Sequence, residues 1–216
     1  MPETTTTCSE CGAEILTRTA AKTGGRCMPC VQGNRENIEA SKRRAAEARD
    51  SEKVIQAAFA RLSKKKRVTY GDLLAEAEPV GLLWQFLASK DLTLLAPGAR
   101  GLVLVQILDD EVHNGGFHQF FSNSSGDYAH ETLAGLVEIG AAAAAKVLQE
   151  AIRAFPSKRA PADRGERNDQ LDQVDAQLLD ALDDRYYALR DDGTEDFPAL
   201  ILAYMKRHAD ETIAAR

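Results

Sequence analysis

The residues best placed to do chemistry are four cysteines in two pairs of one spacing, Cys8-x2-Cys11 and Cys27-x2-Cys30, with fifteen residues between the pairs. Each pair sets two thiolates on one tight turn, and two such turns can bring four sulfurs to a single tetrahedral ion, the closed shell of a structural zinc site. Every coordination position is then filled by protein sulfur, so none is left open to a substrate. Gly12 follows the first pair, where a residue without Cβ lets backbone amides turn toward the sulfurs. The run from Lys22 to Cys27, KTGGRC, is expected to make the hairpin turn of a zinc ribbon. Disulfides or a redox pair are the alternatives.

A second concentration of chemically able side chains lies at 109–121, DDEVHNGGFHQFF, directly after the apolar run RGLVLVQIL. Three acids at the end of a helix meet the partial negative charge of its carbonyl end, at an expected cost of about 0.3 to 1 kcal/mol each if exposed. Asp109 and His113, four residues apart, are placed to offset this by pairing. Metal ligation by His113, His118, His130 and Glu111 lacks a His-x3-His or His-Glu-x2-His pattern. Ser124 and Ser125 have no nucleophile-elbow sequence around them. Asn114-Gly115-Gly116 lacks the Gly-Lys-Ser/Thr of a phosphate loop. No enzyme reading is favoured.

The elements that must position these groups are mostly helices. From Val68 onward apolar residues recur at helical spacing, with breaks at Pro79, Pro97-Gly98, Asn114-Gly115-Gly116, Gly126, Gly140, Pro156 and Gly193. Thr69 and Asp72 mark a helix start. Leu102, Val105, Leu108 and Val112 line one face of a helix that Asn114-Gly115-Gly116 ends. Phe117, Phe120 and Phe121, at i, i+3, i+4, drive the next helix into the core. Asp127 is the expected N-cap of the helix after SNSSG, with Glu131 in its first turn.

Charge divides the chain. Residues 1–100 hold 16 Lys and Arg against 12 Asp and Glu, a net of +4, whereas residues 101–216 hold 11 against 21, a net of −10. Residues 34–67 are Ala-rich and charged, with no apolar stripe until Val54, Ile55, Ala58, Phe59 and Leu62, and predict a helix that is solvated first and docked only at its end. Glu39 and Arg43 stand in the favourable i,i+4 order. Lys42, Arg43, Arg44, Arg49, Lys64, Lys65, Lys66 and Arg67 are candidates for phosphate contact. No apolar run approaches the roughly 18 residues of a membrane span. The first residues carry neither a basic start nor an apolar segment, so the expected location is cytoplasmic.

Asn168 to Asp184 contains six aspartates and no Lys or Arg. On a continuous helix Asp169, Asp172, Asp180, Asp183 and Asp184 share an arc of about 120°, opposite Leu171, Val174, Leu178 and Leu182. Five charges on such a helix fall roughly 4 to 5 Å apart, wider than the ~3.4 Å of one DNA strand, so imitation of a duplex calls for a dimer or for further acids. Asp109, Asp110, Glu111 and Asp127 are the candidates.

The stretch EVHNGGFHQFFSNSSGDYAHETLAGLVEIGA resembles the signature of a bacterial DNA-mimic protein family, through Glu111, Asn114, Gly115, Gly116, Phe117, Gln119, Phe120, Phe121, Asn123, Ser124 and Gly126. AIRAFP and, more loosely, LDALDDRYY also fit, so the resemblance spans roughly residues 80 to 208. It implies an acidic, helical, homodimeric fold whose characterised member occupies the DNA-binding surface of a transcription regulator. The cysteine pairs and the basic linker are additions to that pattern.

The sequence therefore predicts a mainly α protein: a zinc-ribbon-like module at 1–33, a charged basic helical linker at 34–67, and an acidic all-helical domain at 68–216. The expected function is non-enzymatic binding of a basic DNA-binding protein, with structural zinc as cofactor and a homodimer as the expected assembly. The alternative is a zinc-ribbon nucleic-acid-associated adaptor that binds through its basic N-terminal half, with residues 35–67 as the stretch for direct nucleic-acid contact.

Overall fold

A computed structural model describes residues 4–88, 91–191 and 193–213, and the chain is mainly helical, as predicted. It divides into two compact units, Met1–Val54 and Ile55–Arg216.

In the first unit, β1 (Thr5–Thr7) pairs antiparallel with β2 (Glu14–Leu16), Thr6 opposite Ile15. The turn between them carries Cys8 and Cys11, and the Gly12 N–H donates to the Cys8 carbonyl at 2.9 Å. α1 (Thr17–Thr23) ends on Gly24, whose left-handed φ of 62° turns the chain out of the helix. The expected hairpin at KTGGRC is therefore a helix end, and the hairpin encloses the first cysteine pair instead. α2 (Met28–Val31) starts directly after Cys27, with Pro29 at its start. α3 (Arg35–Leu62) is exposed throughout residues 41–50. Glu39 pairs with Arg35 at 2.8 Å rather than with Arg43, because Arg35 also stands at helical i,i+4 spacing, on the other side.

The second unit takes the last turns of α3, where Ala58 and Leu62 are buried, with Ile55 and Phe59 packed against the same core. α4 (Tyr70–Leu74) opens on a reciprocal cap: Asp72 N donates to Thr69 Oγ1 and Thr69 N donates to Asp72 Oδ2. α5 (Pro79–Leu87), α6 (Pro97–Ser122), α7 (Ala129–Ile139), α8 (Ala142–Ala154), α9 (Arg164–Leu171), α10 (Ala176–Asp191) and α11 (Phe197–Arg207) complete it. α6 packs against α7, α9 and α10, and its Leu102, Val105, Leu108 and Val112 are buried as their spacing requires.

Two further expectations fail in this unit. Residues 168–184 are not one helix: α9 ends at Leu171 and α10 starts at Ala176, with 172–175 between them. Asp175 Oδ1 accepts the Gln177 N–H at 3.0 Å, a local bond that competes with continuation of the helix. The common 120° arc is lost, and Leu178, assigned to the core face, is 44% exposed. Asp127, in turn, does not cap α7. It sits in a 3-10 turn, Ser124–Tyr128, and its carboxylate is drawn instead to Arg167.

Candidate functional site

Four thiols converge in the first unit. The sulfurs of Cys8, Cys11, Cys27 and Cys30 all lie within 4.8 Å of one another, and Cys11 Sγ and Cys27 Sγ are 3.7 Å apart. Metal–sulfur bonds of ~2.3 Å in a tetrahedron place sulfurs about 3.8 Å apart, so the cluster has the dimensions of a metal shell. Cys8, Cys27 and Cys30 are buried. Burial opposes the Cys8 thiolate, but the backbone N–H groups of Cys27, Glu10 and Cys11 outweigh it and bring its pKa down to about 6. Burial, reinforced by the three neighbouring sulfurs, pushes the Cys30 thiol far up. Four thiolates this close need a cation among them, and the group can hold a metal ion.

In the second unit the Asn114-Gly115-Gly116 corner divides α6. Gly116 has φ 72° and ψ −177°, a region only glycine occupies readily, and the chain resumes as a second helical segment carrying Phe117, Phe120 and Phe121. All three rings are fully buried; Phe117 stacks on Phe121, while Phe120 meets Phe121, Phe121 meets Phe155 and Phe117 meets Tyr186 edge-on. Of the three corner residues Gly116 alone takes the left-handed conformation; Asn114 and Gly115 do not.

The nine candidate partner-binding acids separate into two groups. Asp109 pairs with Arg190 at 3.3 Å and His113 at 3.5 Å, and the Tyr186 hydroxyl donates to it. Asp127 pairs with the fully buried Arg167 at 2.7 Å. Asp183, on α10, accepts the Phe117 N–H at 2.7 Å; burial raises its pKa against the pull of that N–H group. Glu111 accepts from Gln119 Nε2, Asn123 Nδ2 and Ser125 Oγ, so it is a partly buried brace across the corner. These four are engaged within the fold. Asp110, Asp169, Asp172, Asp180 and Asp184 are exposed, and among the described residues none of the five forms an ion pair.

Several residues that organise this region were not singled out from the sequence. Arg167 uses all five N–H groups: Nε to the Phe121 carbonyl, Nη1 to those of Pro161 and Ala162, and Nη2 to that of Asn123 and to Asp127. Its one legible signal is a place four residues before the core residue Leu171. Glu195 accepts the N–H groups of Ala143 and Ala144 at the start of α8, which its sequence neighbours do not announce. In the basic stretch, Lys65 pairs with Asp72, and Arg67 donates to Thr212 Oγ1 and the Asp210 carbonyl. Ser125 and His130, a conceivable nucleophile and base, face Glu111 and the Ala160 carbonyl rather than each other.

These features define a mainly helical protein whose C-terminal unit carries unpaired surface acids and whose N-terminal unit carries a four-thiol cluster. Residues 93–208 match the family described as DMP19-like protein, and the chain belongs to that family, the DNA-mimic family that the corner motif resembles. No curated protein and no solved structure matches the chain. No helix among the described residues is long and apolar enough to cross a membrane.

Proposed function

We propose that the helical unit is a non-enzymatic binding module that occupies the nucleic-acid-binding surface of a basic partner, such as a transcription regulator, and that the four cysteines hold a structural zinc ion in the cytoplasm. The observation that carries the reading is the set of exposed acids left after internal pairing: Asp110, Asp169, Asp172, Asp180 and Asp184. Surface faces that only need solvation mix signs and gain i,i+4 pairs; these acids forgo them. Competition for a cationic groove is what such a surface does well. The break at 172–175 shortens each run of charge, so a duplex-length array draws on a second copy of the chain.

The test is capture of partners from native cells with the full chain as bait, followed by affinity measurement for Asp172→Asn, Asp180→Asn and Asp184→Asn combined. Asp183 is left intact because it holds the corner. A binding loss of about tenfold or more, with a reduced salt dependence, is expected. Unchanged affinity and salt slope overturn the reading. The exposed Lys42, Arg43, Arg44 and Arg49 on α3 favour a second reading, a nucleic-acid adaptor. That reading requires steeply salt-dependent affinity for duplex DNA, whereas a mimic has none.

A further inference from the structure

An open cleft of about 550 Å³ lies beside the corner of α6, lined by Ile107, Asp110, Glu111, Asn114, Gln119 and Asn123. Two carboxylates face it and its lining contains no Lys, Arg or His. Most other partly buried carboxylates of this unit that pair do so with cations: Asp109 with Arg190, Asp127 with Arg167, Glu150 with Arg185, and the more exposed Glu131 with Arg100. Glu111 is held instead by neutral donors, which orient its charge without cancelling it.

We infer that this cleft is a binding site for a guanidinium group, rests on the proposed function for its source, and receives an arginine side chain of the basic partner. Gln119 and Asn123 spend their amide N–H groups on Glu111. Among the described residues their side-chain carbonyl oxygens accept nothing, and Asn114 makes no side-chain hydrogen bond. The cleft thus keeps acceptors without matching donors: Asp110 Oδ2, beside the Oδ1 that accepts the Gln106 amide at 2.8 Å, and the amide oxygens of Asn114, Gln119 and Asn123, with the charge of Glu111 behind them. A planar fork of five N–H groups is the donor that matches dispersed acceptors, and Ile107 supplies an apolar wall for its face and stem. A divalent metal ion needs its oxygens converging at about 2.0 to 2.6 Å, and both Glu111 oxygens are already occupied by amide and hydroxyl donors. An ammonium is a compact point charge that would use little of this volume.

The experiment is a titration of the isotopically labelled full chain with L-argininamide, following the side-chain amide resonances of Asn114, Gln119 and Asn123. Saturable shifts at these three groups are expected. Lysinamide is expected to bind about tenfold more weakly, and Asp110→Asn, an exposed change that leaves the melting curve in place, to weaken argininamide about tenfold. Shifts that rise linearly without saturating, an equal response to lysinamide, or indifference to Asp110→Asn each overturn the site. Normal argininamide binding in a chain that captures no basic partner upholds the cleft and overturns the proposed function. Partner capture without argininamide binding does the reverse.

Discussion

The carboxylate of Asp183 on α10 accepts the N–H of Phe117 at 2.7 Å, and it reaches that group across Gly116, where a Cβ would overlap Asp183 Oδ2. One residue of a strongly acidic helix is therefore a cap for the second segment of α6. The close approach and the left-handed backbone both single out glycine at 116.

Gly116→Ala is expected to destabilise the helical unit by roughly 2 kcal/mol or more, since it adds backbone strain of order 1 to 3 kcal/mol and displaces Asp183. Gly115 has φ −163°, and a Cβ there meets only the Gln119 side chain, whose displacement from Glu111 adds no left-handed backbone strain, so Gly115→Ala is the milder change. Urea melts of both variants decide it; equal midpoints for the two would refute the assignment of the constraint to Gly116.

Asp183 makes stability depend on pH in a defined direction. Burial raises its folded-state pKa above the ordinary 3.8, so between these values the folded chain holds more protons than the unfolded one. Its contribution is thus full below the ordinary value and is lost as pH rises through the folded one. Asp183→Asn keeps an acceptor for Phe117 without the buried charge. Melts across this range are expected to show the variant gaining on the parent as pH rises, while Asp183→Ala, which orphans the N–H, loses about 1 to 3 kcal/mol.

Arg167→Lys is expected to cost about 3 kcal/mol or more. A lysine has three donors and no planar fork, so carbonyls of Phe121, Asn123, Pro161 and Ala162 lose partners in a buried place. Asp127→Asn retains an acceptor for Nη2 and is expected to cost less. Chemical denaturation of the two variants, compared at one pH, checks the order.

Elemental analysis of reduced, metal-replete protein is expected to give one zinc per chain, falling well below one when Cys8 and Cys30 are replaced by Ser. Chelation is expected to abolish amide protection in residues 4–33 and to leave the cooperative melt of the helical unit in place, since that unit has a separate core. A coincident collapse of both would contradict the assignment.

Much of this protein is written locally. Cysteine spacing already groups the four thiols because two residues between thiols define one turn wherever it is placed. The Phe117, Phe120, Phe121 stripe and the Leu102, Val105, Leu108, Val112 face follow from the 3.6-residue period, and the cap at Thr69 from a bond spanning three residues. Each of these is decided within one or two turns of chain.

The tertiary structure alone decided which charges remain free. By sequence Asp172, Asp180, Asp183 and Asp184 are equivalent members of an acidic run. Packing α10 against α6 turns Asp183 to the Phe117 N–H and Asp109 toward Tyr186 and Arg190, and leaves Asp180 and Asp184 in water. Arg167 looks like Arg164 in the chain, yet carbonyls up to 46 residues away enclose it. The break at 172–175 is likewise a choice between a helix bond and the local bond of Asp175, made once Leu171 and Val174 had a core to reach. Charge is a property of a residue type, but its cost and its availability depend on the groups that long-range packing brings near, and periodicity carries no record of those.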